Sequence, residues 1–260
     1  MEERHYPVIE FQLMRYDEEI GLLSSYLYNA LKNQSLINIE LFNKYKKLLN
    51  RFNSETTYLE IINFCSENLI KEYKENLIGC NEAITLFKEQ INEQFYYLYL
   101  KIADEFEVSD EKLKIIVKVG NVSLCPRWIN NVAFYVPSYI ENFREILLHE
   151  CCHFIFFKKL IEINSEYLWK DFEYPTTEWI LSEILIDTIF ADKKIFESYT
   201  NSKIRAYREF YGIDFDGKTL IENVNRLYHQ ENCFHSRFLS CYNFISKNRS
   251  EIVNRIWKKS

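Results

Sequence analysis

Residues 149 to 153 of this chain read His-Glu-Cys-Cys-His. On a helix, positions i and i+4 lie one turn apart on the same face, so His149 and His153 can offer two neutral ring nitrogens to one Zn²⁺. Glu150, one residue round the helix, then stands where a carboxylate can take a proton from a water polarised by the metal. The chemistry this spacing points to is metal-assisted hydrolysis. Two imidazoles do not complete a catalytic zinc site, so a third protein ligand has to come from elsewhere in the chain.

The flanking sequence supports a helix. Residues 143–148 before the run and 154–160 after it contain no Pro or Gly, and Ile146, His149, His153 and Phe157 fall on one stripe at helical spacing. Ser138 and Glu141, just after Pro137, form a Ser-x-x-Glu capping-box signature, which predicts a helix from there to about Glu162. The competing reading makes both histidines hydrogen-bonded core residues, and it leaves Glu150 in an apolar setting with no compensating partner. A second helical segment, residues 178–187, carries Glu178, Glu183 and Asp187. Glu183 and Asp187 stand at i and i+4 among Ile180, Leu181, Ile184, Leu185, Ile186, Ile189 and Phe190, where an ionised carboxylate is costly without a metal or a partner.

The His-Glu-x-x-His run followed by this Glu/Asp pair resembles the zincin metallopeptidases, in their gluzincin branch. The resemblance implies that Glu183 is the third zinc ligand, with Glu178 as its rival, and that Asp187 orients an imidazole from behind. No His-x-x-Gly-x-x-His continuation follows His153, so the metzincin pattern is not met. The resemblance covers about residues 81–260. It implies a mainly helical α+β fold, with a backing helix and a small sheet ahead of the metal helix and a second lobe after it. Asn131, Ala133, Phe134 and Tyr135 are similar to the Asn-Ala-Phe-aromatic stretch that some gluzincins use as an edge strand against an extended substrate, with Val132 inserted here. That similarity makes Ala133, Phe134 and Tyr135 candidate substrate-binding residues. An ordinary half-buried strand is the other reading.

The elements ahead of the motif follow from patterning. Residues 81–105 place Ile84, Phe87, Ile91, Phe95, Leu98 and Ile102 at helical spacing, with Asn81 as the expected cap. Residues 112–119 read as a strand, Gly120-Asn121 as a hairpin-type dipeptide leading into residues 122–125, and residues 131–136 as a further strand. The first 80 residues carry three helix-like patterns, near residues 11–31, 38–49 and 57–74, and no Pro/Gly-rich linker precedes Asn81. A helical N-terminal region, 1–80, packed on a catalytic domain, 81–260, is the expected organisation.

Hydrolysis also needs a donor for the developing oxyanion. The candidates are Tyr228, His229 and His235, with Tyr207 and Tyr211 behind them, and His229 is favoured because a histidine late in a helix is readily held protonated. Its competing role is a surface histidine with a structural bond. Asp214-Phe215-Asp216-Gly217 lacks the remaining ligands of a calcium loop and reads as a turn. The seven cysteines include no Cys-x-x-Cys pair, and Cys151 and Cys152, inside the motif, read as packed core residues.

Composition narrows the function class. A net charge of −6 over 260 residues, with no basic cluster, argues against nucleic-acid binding. The N-terminus lacks an apolar signal core, and no apolar run reaches the roughly twenty residues a membrane span needs, so a cytoplasmic protein without membrane attachment is expected. The whole reads as a zinc-dependent metallopeptidase acting on a peptide or protein substrate. The rival readings are a protease with one protein target, recognised through its N-terminal region, and a non-catalytic module in which a zincin-like fold supports partner binding.

Overall fold

Four short segments collect into one mixed sheet. In the computed structural model, which describes residues 6–33, 51–53, 55–108, 113–122, 125–192 and 206–259, these are β1 (Val8–Leu13), β2 (Lys114–Gly120), β3 (Arg127–Trp128) and β4 (Ala133–Pro137), in the order β1-β2-β4-β3. β2 is flanked by β1 and β4, both parallel to it, and β3 closes the far edge antiparallel to β4. The pleat sends alternate side chains to opposite faces. Ile115, Val117 and Val119 of β2 and Phe134 and Val136 of β4 belong to the main core, with Val117 opposite Phe134 and Val119 opposite Val136. Tyr135 belongs to a second, smaller core with Met14, Ile20, Leu23, Leu27, Ile61, Cys65 and Val122.

The α-helices of the described residues are α1 (Tyr16–Asn33), α2 (Tyr58–Gln90), α3 (Glu93–Glu105), α4 (Phe143–Ile163), α5 (Thr177–Ala191), α6 (Leu220–Gln230) and α7 (Phe234–Lys259). The fold is therefore mainly helical α+β with a small sheet. α4 and α5 lie at its centre. α5 is buried on nearly every side, and α4 buries Leu147, Leu148, Phe154, Ile155, Phe156, Phe157 and Leu160. A helix that is apolar all round has no solvent face to present. Polar side chains on these two helices therefore have to find partners inside the protein.

Several expectations are corrected by long-range packing. The helix expected from Asn81 starts much earlier: Thr57 and Glu60 form a reciprocal capping box, and α2 runs unbroken past Asn81 to Gln90. The chain then restarts at Asn92, whose side chain accepts from Phe95 N. Helix α2 thus crosses the expected boundary at residue 80, and β1 lies in the sheet beside β2, so the first 80 residues contribute to the same sheet as the motif region. β1 also replaces the start of the helical pattern near residues 11–31, and the pattern near residues 38–49 lies outside the described residues.

Gly120-Asn121 does not turn a hairpin, because β2 pairs on both sides with parallel strands. Its glycine serves a close approach instead: a Cβ there would fall 1.8 Å from Glu19 Oε1, the atom that accepts from Asn121 N. Ser138 does not cap α4. Its hydroxyl pairs with Asn121 Oδ1, and the helix begins at Phe143 with no side-chain cap. The Asp216-Gly217 turn is a two-residue connection between β5 (Asp214–Phe215) and β6 (Lys218–Thr219), with both residues at positive φ as a type I′ hairpin demands. Among the described residues no helix is long and apolar enough to cross a membrane.

Candidate metal centre

Helix α4 carries His149, Glu150 and His153, and α5 packs across it carrying Ser182 and Glu183. His153 is fully buried and its ring stacks on Phe157, which in turn stacks on Phe172 at 4.6 Å between centroids. This aromatic column leaves the His153 ring little freedom to rotate. His149 is partly buried one turn earlier.

The nitrogens and oxygens converge. His153 Nε2 lies 3.1 Å from His149 Nε2 and 3.4 Å from Glu183 Oε1, and all three residues can place a ligand atom within 4.8 Å of the others. Ligand atoms about 2.0–2.1 Å from a tetrahedral zinc are about 3.3 Å apart, so the spacing and the donor types fit that metal. Ser182 fixes the tautomer. Its hydroxyl donates to Trp179 O at 2.8 Å and so presents a lone pair to His153 Nδ1 at 3.0 Å. His153 therefore carries its proton on Nδ1, and Nε2 directs a lone pair toward His149 and Glu183. Burial pushes both imidazoles down, His149 to about 4 and His153 well below its ordinary value, with the Arg127 charge acting in the same direction. Both rings are held in the neutral form that metal ligation needs.

Arg127, from the edge strand β3, completes the cluster. Its Nη1 donates to Glu150 Oε2 at 3.0 Å and its Nη2 to Glu183 Oε1 at 2.9 Å. The three side chains are only 8–10% exposed. Burial alone raises the Glu150 pKa, and the guanidinium opposes that rise. With both carboxylates ionised, the buried group carries one net negative charge, which a divalent cation would more than offset. Arg127 Nε is buried and makes no hydrogen bond among the described residues.

The remaining candidates separate clearly. Glu178 is buried but accepts from Tyr167 OH at 2.9 Å and takes no part in the His149–His153–Glu183 group. Asp187 does not reach an imidazole. One turn beyond Glu183 it meets the segment returning after α5, accepting from Ala206 N at 3.3 Å and from Tyr211 OH at 2.6 Å. The contact expected of Asp187 is made by Ser182. Ala133, Phe134 and Tyr135 are at most 1% exposed and β4 is an inner strand, covered by β3 on one side and β2 on the other. Tyr135 N donates to Pro126 O, and its hydroxyl accepts from Val122 N. No backbone of β4 at Ala133–Tyr135 is open to a substrate, and the sheet edge on this side is β3.

His229 is exposed at the end of α6. Its neighbour Tyr228 donates to Glu105 at the end of α3, and His229 takes no part in the His149–His153–Glu183 group. His235 is exposed as well. Tyr207 is better placed. It packs edge-on against Trp179 of α5, and its hydroxyl is pushed up to about 12 mainly by burial, with Glu183 among the charges that act on it. Cys151 and Cys152 are buried, and burial raises both thiols.

Arg127 and Ser182 were not singled out by the sequence pattern. Arg127 could have been found by asking which cation on the neighbouring strands neutralises two carboxylates on apolar helices. Ser182 carried only its place beside Glu183. No protein-family model, no curated protein and no solved structure matches the chain, so the geometry of this cluster is what bears on its function.

Proposed function

We propose that the chain is a zinc-dependent metallopeptidase in which His149, His153 and Glu183 hold the metal and Glu150 is the general base. The observation that carries this reading is the convergence of two imidazole nitrogens and a carboxylate oxygen at 3.1 and 3.4 Å among buried side chains. Zinc, when bound, supplies the Lewis acidity that makes a water molecule nucleophilic near neutral pH. Glu150 takes the proton of the attacking water on the carboxylate oxygen that Arg127 leaves unbonded, then passes it to the departing amine. Ser182 holds His153 in the tautomer that keeps Nε2 available. Tyr207, packed on Trp179 of the helix that carries Glu183, is the best placed of the tyrosine and histidine candidates for the oxyanion donor.

One observation favours a second reading. Arg127 pairs with both carboxylates without any metal, as it would in a module whose cluster merely braces α4 against α5. Glu150→Gln separates the two, because Gln keeps the acceptor for Arg127 and removes the base. The hydrolase reading expects the variant to hold one zinc per chain and to lose hydrolysis of a mixed peptide library by about 10²–10⁴-fold. Unchanged cleavage by Glu150→Gln, or a wild type that cleaves nothing with zinc bound, favours the module.

A further inference from the structure

We infer that Arg127 is a positioning residue for the proposed centre: one planar guanidinium, delivered by β3, holds the base Glu150 and the metal ligand Glu183 on separate nitrogens and so fixes their spacing. The inference rests on the zinc reading for the roles of the two carboxylates. It goes beyond that reading by assigning the group that organises them.

Three observations carry it. First, the two contacts are made by different nitrogens to carboxylates from different helices, Nη1 to Glu150 on α4 and Nη2 to Glu183 on α5. A guanidinium keeps its nitrogens in a rigid plane, so both carboxylates are referred to one frame. Second, the frame itself is fixed. Arg127 pairs with Phe134 across the β3–β4 ladder, and Pro126 O accepts from Tyr135 N at 2.9 Å, so the stem of the arginine is tied on both sides to the inner strand β4. Third, all three charged side chains are only 8–10% exposed, so the guanidinium is the counter-charge that lets two carboxylates stand together away from water.

Glu183 Oε1 is the same atom that faces His153 Nε2 and accepts from Arg127. A carboxylate oxygen has two lone pairs, and the guanidinium occupies one, which directs the other toward the imidazoles. Arg127 thus does for the carboxylate ligand what Ser182 does for His153. Without it, two like-charged carboxylates would face each other in a buried site with no counter-charge, and each would be free to turn away.

The test uses Co²⁺ alone as the probe, since its visible absorption reports ligand geometry without any substrate. The full chain, freed of metal, is titrated as wild type, Arg127→Met, Arg127→Lys and Arg127→Ala, with circular dichroism recording that each is folded. Lysine keeps the charge but cannot span two carboxylates from a fixed plane, so Arg127→Lys and Arg127→Met should both bind cobalt about 10–100-fold more weakly, with an altered spectrum. Methylguanidinium added to Arg127→Ala should restore part of the affinity and the wild-type spectrum. If Arg127→Met does not fold, Arg127→Lys carries the comparison. Wild-type affinity and spectrum in Arg127→Lys, with only the melting temperature lowered, would overturn the inference in favour of a simple brace. A wild type that takes up no cobalt overturns the metal reading itself, and this inference with it, and that result is distinct from a loss confined to the variants.

Discussion

The molecule contains two clusters in which an arginine meets glutamates among core aromatics, and they are built differently. At the end of α3, Arg237 donates Nη1 to Glu105 and Nε to Glu231 O, and its guanidinium lies 5.0 Å from the Tyr228 ring. Tyr228 donates its hydroxyl to Glu105 as well, and Glu107 accepts from Phe234 N. That cluster is about a fifth exposed. The cluster around Arg127 is roughly half as exposed, sets two carboxylates from different helices on one guanidinium and points an imidazole lone pair inward. The first ties helices together through backbone and tyrosine contacts. The second gathers imidazoles and carboxylates in a buried place, as a metal centre of the proposed kind needs.

Paired substitutions make the contrast measurable. Glu183→Gln removes a proposed ligand, whereas Glu105→Gln removes only an acceptor of structural hydrogen bonds. Zinc at a hundredfold excess over its dissociation constant should stabilise the wild type by about 2.7 kcal/mol. Denaturant melts with and without zinc should show that gain intact in Glu105→Gln, on a baseline lowered by about 1–3 kcal/mol through lost charge-assisted hydrogen bonds. In Glu183→Gln the zinc-dependent gain should largely vanish. An equal response to zinc in both variants would erase the distinction between the clusters.

Acid should also act on one cluster before the other. The folded-state pKa of His149 is depressed to about 4 and that of His153 lies well below its ordinary value of about 6.5. Below about pH 6.5 the unfolded chain binds protons that the folded imidazoles refuse, so the stability of the metal-free protein should fall as pH drops from about 6.5 toward 4. His153→Gln should flatten that slope, and a melt series across this range checks it. The smallest effect is expected at His229. It is exposed beside Tyr228, so His229→Gln should change stability by no more than about 0.5 kcal/mol and leave zinc binding and any peptide cleavage unaltered. Lost cleavage in that variant would return the oxyanion role to it.

Local periodicity made the proposed metal face legible. His149, Glu150 and His153 share a helix because nothing in residues 143–163 interrupts one, and Glu183 was marked by its charge within an apolar run. The turn at Asp216-Gly217 was legible for the same reason, since it is set by residues a few positions apart. What the sequence withheld depends on partners far along the chain. Asn81 has the chemistry of a cap, but α2 already had one at Thr57. Ser138 has the chemistry of a cap too, and Asn121 takes its hydroxyl. Whether β4 is an edge or an inner strand is decided by β3, a two-residue segment too short to show a pattern. Arg127 lies on that segment, which is why the residue joining Glu150 and Glu183 left no trace in the periodicity.

The measurement that bears most directly on the account is a zinc titration of the metal-free wild type, followed by isothermal calorimetry and checked by elemental analysis. The account predicts one equivalent bound per chain with release of any proton shared between His149 and His153, and no tight binding in His153→Ala. A wild-type chain that binds no zinc, or binds it equally well without His153, would contradict it.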